Sequence, residues 1–136
     1  MENRHTKSKR RDEKRMVNYF FDSYAVIEMI KKNPNYSTFS NETFVLTNLN
    51  LAEIYYYALL NLTKSKSEEI FEKLSKAVVE IDLTTIKLAM QLKKENKKKK
   101  LSYADCIGYA YAKNNNLLFV TGDVQFQTME KVVYIK

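Results

Sequence analysis

Short apolar runs alternate with stretches of helical period along most of the chain. Val17-Asn18-Tyr19-Phe20-Phe21, Phe44-Val45-Leu46-Thr47, Val78-Val79-Glu80-Ile81, Leu117-Leu118-Phe119-Val120 and Val132-Val133-Tyr134-Ile135 are compact runs rich in aliphatic and aromatic residues, the composition of buried strands. Between them apolar residues recur at helical spacing. They are Ala25, Ile27, Met29 and Ile30; Ile54, Tyr57, Ala58 and Leu62; Ile70, Phe71, Leu74 and Ala77; Ile86, Ala89 and Met90; and Ile107, Ala110 and Tyr111. The boundaries carry their own signals. Asp22-Ser23 reads as a helix cap, and Lys31-Lys32-Asn33 before Pro34 as that helix's end. Asn50 with Glu53, and Ser102 with Asp105, have capping-box spacing. Ser67-Glu68-Glu69 opens a further helix, Asn114-Asn115-Asn116 stops one, and Asn35 to Thr43 is a polar loop. Strand and helix in alternation predict an α/β fold, a single-domain three-layer α/β/α sandwich around a parallel sheet.

The first 15 residues break the pattern. Seven basic residues face three acidic ones and nothing apolar follows Met1, so residues 1–15 read as a basic flexible tail ahead of a domain at 16–136. Such a tail is either a solvated extension or an arm that holds RNA phosphates.

Composition then removes whole classes of chemistry. The chain has 136 residues, enough for one domain with a real core. Two glycines and one proline argue against a turn-rich sandwich or barrel. A single cysteine, Cys106, excludes an internal disulfide, and a single histidine, His5, leaves no set for zinc or for a histidine base. Gly108 and Gly122 are the only glycines, so no glycine-rich phosphate loop exists. No apolar run approaches the roughly 20 residues that span a bilayer. The charged N-terminus is unlike a secretory signal, so a cytoplasmic setting with no membrane association is the expectation.

The candidate chemistry lies in four acids. In a parallel sheet all strands end at one edge. Asp22 follows the first strand and Asp123 the fourth, while Glu53 opens the helix after the second. Asp105 opens the helix that returns to the start of the fourth strand, so it also lies at the C-terminal edge, where open α/β sheets keep their sites. Each acid alone is ordinary: Asp22 as a cap, Glu53 and Asp105 as capping-box acids, Asp123 as a turn residue. Together, in a chain of formal charge +7, they form a cluster that must take up protons or bind a cation. Mg²⁺ or Mn²⁺ suits such oxygens. The excess of Lys and Arg suits a phosphate backbone, and the combination points to metal-dependent cleavage of nucleic acid. Around the acids, Ser23 and Thr121 offer hydroxyls. The run Lys93–Lys100 is either a solvated loop or a phosphate-binding run, with Lys97, Lys98, Lys99 and Lys100 as its candidate contacts.

The stretches Ala104-Asp105-Cys106-Ile107-Gly108-Tyr109-Ala110-Tyr111-Ala112 and Leu118-Phe119-Val120-Thr121-Gly122-Asp123 with Phe126 resemble the signature end of PIN-domain ribonucleases. Tyr19-Phe20-Phe21-Asp22-Ser23 and Leu51-Ala52-Glu53-Ile54 resemble the two earlier motifs of that family. Family members often carry a small hydroxyl residue two places after the first Asp, where this chain has Tyr24. The resemblance spans residues 17–136. It implies a five-stranded sheet in order 3-2-1-4-5 and Mg²⁺- or Mn²⁺-dependent endoribonuclease activity, with Asp22, Glu53, Asp105 and Asp123 as catalytic and metal-binding residues. It further implies a compact VapC-type toxin, homodimeric and silenced by an antitoxin. A housekeeping RNA-processing nuclease of the same fold is the alternative within the family. A non-catalytic RNA-binding or scaffold protein is the alternative outside it.

Overall fold

The computed structural model describes residues 17–136. The expected basic tail therefore lies outside the described residues. In chain order the elements are β1 (Tyr19–Phe21), α1 (Ser23–Ile30), a 3-10 turn (Pro34–Phe39), β2 (Phe44–Val45), α2 (Asn48–Asn61) and α3 (Lys64–Ser75). They are followed by α4 (Leu83–Glu95), α5 (Tyr103–Asn114), β3 (Leu118–Thr121), a second 3-10 turn (Val124–Phe126) and β4 (Val132–Tyr134).

The sheet has four strands in the order β2-β1-β3-β4, and every pairing is parallel. The expected five-stranded sheet is thus one strand short. Val78–Ile81 contributes only an isolated parallel bridge, Leu46 to Val78. The reason is local. Leu46 exchanges backbone bonds with Ala77 and Val79, but the next residue, Thr47, already turns away to cap α2. No further backbone remains on that side to extend a ladder.

Alternation along the strands splits the core in two. Phe20 pairs with Phe119 and Phe21 with Val120, so the members of each pair project to the same face. Phe21 and Val120 meet Ala25, Val26, Leu46 and Ile54 from α1, α2 and the β2 edge. Phe20 and Phe119 meet Ala89, Cys106, Tyr109, Ala110 and Phe126, chiefly from α4 and α5. Two helical layers therefore cover one parallel sheet. Cys106 is a buried free thiol, and among the described residues no helix is long and apolar enough to cross a membrane.

Several boundaries differ from expectation because side chains found better partners. α2 begins at Asn48 with Thr47 as its cap. Thr47 and Asn50, not Asn50 and Glu53, make the capping box. α3 begins at Lys64, capped by Thr63, ahead of the expected Ser67. The loop expected from Asn35 to Thr43 contains the 3-10 turn, which buries Tyr36 and Phe39. The Tyr36 hydroxyl donates to the Ile135 carbonyl at 2.5 Å, tying this turn to the far end of the chain. Asn116 ends the α5 exit at φ 56°, a left-handed conformation that Asn tolerates better than most residues.

Gly108 brings α5 close against the sheet. A Cβ there would stand 2.9 Å from Cε1 and Cζ of Phe20. That ring is fully buried and stacked on Phe119 with centroids 5.5 Å apart, so it has little room to yield. Helix propensity favours Ala over Gly by about 1 kcal/mol, whereas overpacking costs about 1–3 kcal/mol. Gly108→Ala is expected to be net destabilising by about 1 kcal/mol in urea denaturation. A gain in stability would show that the α5–β1 contact is looser than described.

Candidate functional site

The C-terminal edge of the sheet is built around Asp22. β1 ends at Phe21, and the Asp22 backbone N–H still donates to the Val120 carbonyl at 3.2 Å. This bond fixes Asp22 against β3. Its side chain turns back to cap α1, accepting the Ala25 N–H on Oδ1 at 2.9 Å. The other oxygen accepts the Thr121 hydroxyl at 2.5 Å. Only 5% of Asp22 is exposed. Burial pushes its carboxyl up from 3.8 to about 7, against the lowering effect of the bonds from Thr121 and Ala25, and the charges of Asp105 and Asp123 add to the rise.

Thr121 links two of the acids. While its hydroxyl donates to Asp22, its oxygen accepts the Asp123 N–H at 3.0 Å. Asp123 in turn caps the following 3-10 turn through the Gln125 N–H at 3.0 Å. Gly122 is required between them: a Cβ there would lie 2.0 Å from the Tyr24 ring and 2.6 Å from the Ile135 carbonyl. Tyr24 thus packs over the turn that presents Asp123.

Asp105 arrives from the other side of the sheet. It completes the expected capping box of α5, accepting the Ser102 N–H at 2.9 Å, while the Ser102 hydroxyl accepts the Asp105 N–H at 3.0 Å. Burial raises its carboxyl, the Ser102 bonds lower it, the Asp123 charge raises it and the nearby Lys93 ammonium lowers it. The charges of Asp105 and Asp123 thus reach Asp22, and that of Asp123 reaches Asp105.

Glu53 is placed differently from expectation. Because Thr47 and Asn50 cap α2, Glu53 is released from capping and lies exposed in the second turn. Its Oε1 accepts the Ser23 hydroxyl at 2.6 Å, so the residue following Asp22 holds it beside the edge. Asn50, which the sequence pattern cast only as a cap, donates its Nδ2 to Ser23 at 3.1 Å.

The lysine run is partly structural. Lys99 is half-buried and its Nζ donates to the Gln125 carbonyl at 2.9 Å. The Lys100 N–H donates to Gln125 Oε1, and Gln125 Nε2 returns to the Lys100 carbonyl at 3.0 Å. Gln125 thereby pins the run to the turn that follows Asp123, leaving Lys97, Lys98 and Lys100 exposed there. Lys93 is half-buried and donates to the Leu101 carbonyl at 2.6 Å, with its ammonium 4.9 Å from the Tyr103 ring centroid. Gln125 carried no signal in the sequence, since it acts through backbone groups of a distant loop.

The donor set is made of hard oxygens alone. Among the described residues no three acidic, His or Cys side chains converge closely enough to chelate one ion directly. This set fits a cation that keeps several of its waters, as Mg²⁺ does, and does not fit a fully protein-caged ion.

The sequence profile of the PIN domain family matches residues 19–132. The fold is also similar to solved structures. A toxin–antitoxin complex from Klebsiella pneumoniae aligns at TM-score 0.71 and 18% identity, covering 85% of this chain and 95% of that one. VapBC2 from Rickettsia felis, bound to a DNA fragment from its promoter, aligns at TM-score 0.67 and 16% identity, covering 89% and 100%. VapBC-1 from nontypeable Haemophilus influenzae aligns at TM-score 0.65 and 18% identity, covering 88% and 96%. At these identities the likeness bears on the fold. No curated protein matches the sequence.

Asp22 gives the edge a pH dependence. Its carboxyl binds a proton more tightly in the folded chain than in the unfolded one, between 3.8 and about 7. Stability therefore falls as pH rises through that window. Asp22→Asn removes the charge. In EDTA the variant is expected to match the wild type near pH 4 and to exceed it at pH 8, by up to about 4 kcal/mol. Urea denaturation at both pH values checks this, and equal stabilities at pH 8 would contradict the burial argument.

Proposed function

As the chain belongs to the PIN domain family, we propose that it is a divalent-metal-dependent endoribonuclease that hydrolyses RNA phosphodiester bonds at this acidic edge. The observation that carries the reading is Asp22: a nearly closed-off carboxylate, bonded on both oxygens, whose carboxyl is raised by burial and further by two neighbouring acids. Burying such a group without a counter-ion is unfavourable, and a cation at the edge would offset the cost. Asp22, Asp105 and Asp123 would hold Mg²⁺ or Mn²⁺, partly through water. Such an ion supplies Lewis acidity toward a phosphate and a water.

The chain's own groups have separable tasks in this scheme. Thr121 holds Asp22 and Asp123 in register through a single oxygen. Glu53, free of capping and fixed by Ser23, would orient the attacking water. Lys97, Lys98 and Lys100, exposed beside the Asp123 turn, would hold phosphates without reading bases, so affinity would fall with salt.

We favour a toxin of the VapC type over a housekeeping processing nuclease. The similar structures are of toxin–antitoxin and VapBC complexes, covered over nearly their whole length. In addition, Leu49, Tyr56 and Leu60 are exposed on α2 at spacings that set them on the same helix face as Glu53. A partner chain seated there would cover an acid of the site, which is the geometry an antitoxin needs.

RNA digestion tests the reading. Wild-type cleavage is expected to require Mg²⁺ or Mn²⁺ and to stop in EDTA. Asp22→Asn and Asp105→Asn should each lower the rate by at least about 100-fold, with circular dichroism unchanged. Undiminished turnover in either variant would reject the assignment. Induced expression in a bacterial host is expected to arrest growth for the wild type and not for Asp22→Asn. Unimpaired growth with cleavage intact in vitro would favour the housekeeping role.

A further inference from the structure

We propose that Asn50 is a positioning residue for Glu53, acting through Ser23, so that the start of α2 and the catalytic edge are one hydrogen-bonded unit. The inference rests on the nuclease reading and extends it to a residue outside the acidic set.

The bonds give the relay a direction. Asn50 is 3% exposed. Its Oδ1 accepts the Thr47 N–H at 3.0 Å and the Thr47 hydroxyl at 2.9 Å. With its oxygen committed, the side-chain amide is fixed in orientation, and only Nδ2 remains to act elsewhere. That nitrogen is a pure donor, and it donates to Ser23 Oγ at 3.1 Å. Ser23 Oγ, accepting from Asn50, is left to use its own proton as a donor. It donates to Glu53 Oε1 at 2.6 Å. An amide at position 50 thus dictates that the Ser23 proton points at Glu53. Without that instruction an exposed glutamate on a helix would sample several rotamers.

The relay also joins two elements that approach the edge separately. Asn50 and Glu53 lie on α2, and Ser23 opens α1 directly after Asp22. The same three-residue path therefore sets the spacing between Glu53 and the Asp22 backbone.

Asn50→Asp separates this role from capping. An Asp side chain keeps an acceptor for Thr47 and is favourable in the first turn of a helix. It replaces the Nδ2 donor by a second acceptor, so Ser23 would turn its proton toward position 50 and release Glu53. Melting temperature, the Mn²⁺ concentration for half-maximal RNA cleavage, kcat and KM are measured for wild type, Asn50→Asp, Ser23→Ala, Ser23→Thr and the Asn50→Asp/Ser23→Ala pair. Asn50→Asp, which buries a carboxylate, is expected to melt at a lower temperature but stay folded, to retain its KM, and to lose about tenfold in kcat or in Mn²⁺ dependence. Ser23→Ala should behave alike, Ser23→Thr should recover wild-type values, and the pair should be no worse than Ser23→Ala.

Wild-type kinetics in Asn50→Asp, or fully additive losses in the pair, would overturn the relay. Additivity would mean that the new charge, and not the lost donor, is felt. The nuclease reading fails separately: if Asp22→Asn and Glu53→Gln cleave RNA normally, that reading is wrong and the relay falls with it. If those two variants are inactive and Asn50→Asp is normal, only the relay is wrong.

Discussion

A carboxylate enclosed by protein on nearly every side is the constraint on which this structure turns. Asp22 ends the central strand, caps the first helix and meets the last residue of the neighbouring strand, all with one short side chain. Each bond it accepts favours the ionised form, yet burial outweighs them and holds the carboxyl near 7. The fold therefore stores an unmet demand for positive charge at one defined point. The acids that gather round it raise that demand. Among the described residues Lys93 acts on Asp105 and Lys99 donates to a backbone carbonyl, and neither is among the groups that act on Asp22.

The sheet explains how distant residues reach that point. β1 and β3 are adjacent and parallel, so Asp22 and Thr121 come together although they are far apart in sequence. The register that pairs Phe21 with Val120 places the two residues that follow these partners side by side. Two apolar layers lock that register, because a slip of one residue would exchange the Phe20–Phe119 face for the Phe21–Val120 face. Gly108 and Gly122, the only glycines, lie where backbone must approach a ring: Gly108 against Phe20 and Gly122 against Tyr24.

Much of this could be argued from residue order alone, and the exceptions have physical causes. The runs at Tyr19–Phe21, Leu118–Val120 and Val132–Tyr134 became strands because they are apolar and find a parallel partner in register. The run at Val78–Ile81 looked equally strand-like, but its partner strand ends too soon to pair with it. Capping boxes separated along the same line. Ser102 with Asp105 formed as its spacing suggested. Asn50 with Glu53 did not, since Thr47 stood three residues before Asn50 and offered a competing cap. That competition is what sets Glu53 free, and no propensity scale would reveal it. Gln125 and Asn50 gain their importance only from contacts distant in sequence, which a pattern of apolar and polar letters cannot encode.

The central claim is that the edge is poised around an Asp22 whose charge awaits a cation. Site-resolved carbon NMR of the Asp22 carboxyl, titrated with and without Mg²⁺, addresses it most directly. The account predicts a midpoint near 7 in EDTA and a clear drop on adding Mg²⁺, as the ion displaces the proton. An ordinary carboxylate midpoint in EDTA, or a raised one that ignores Mg²⁺, would contradict it.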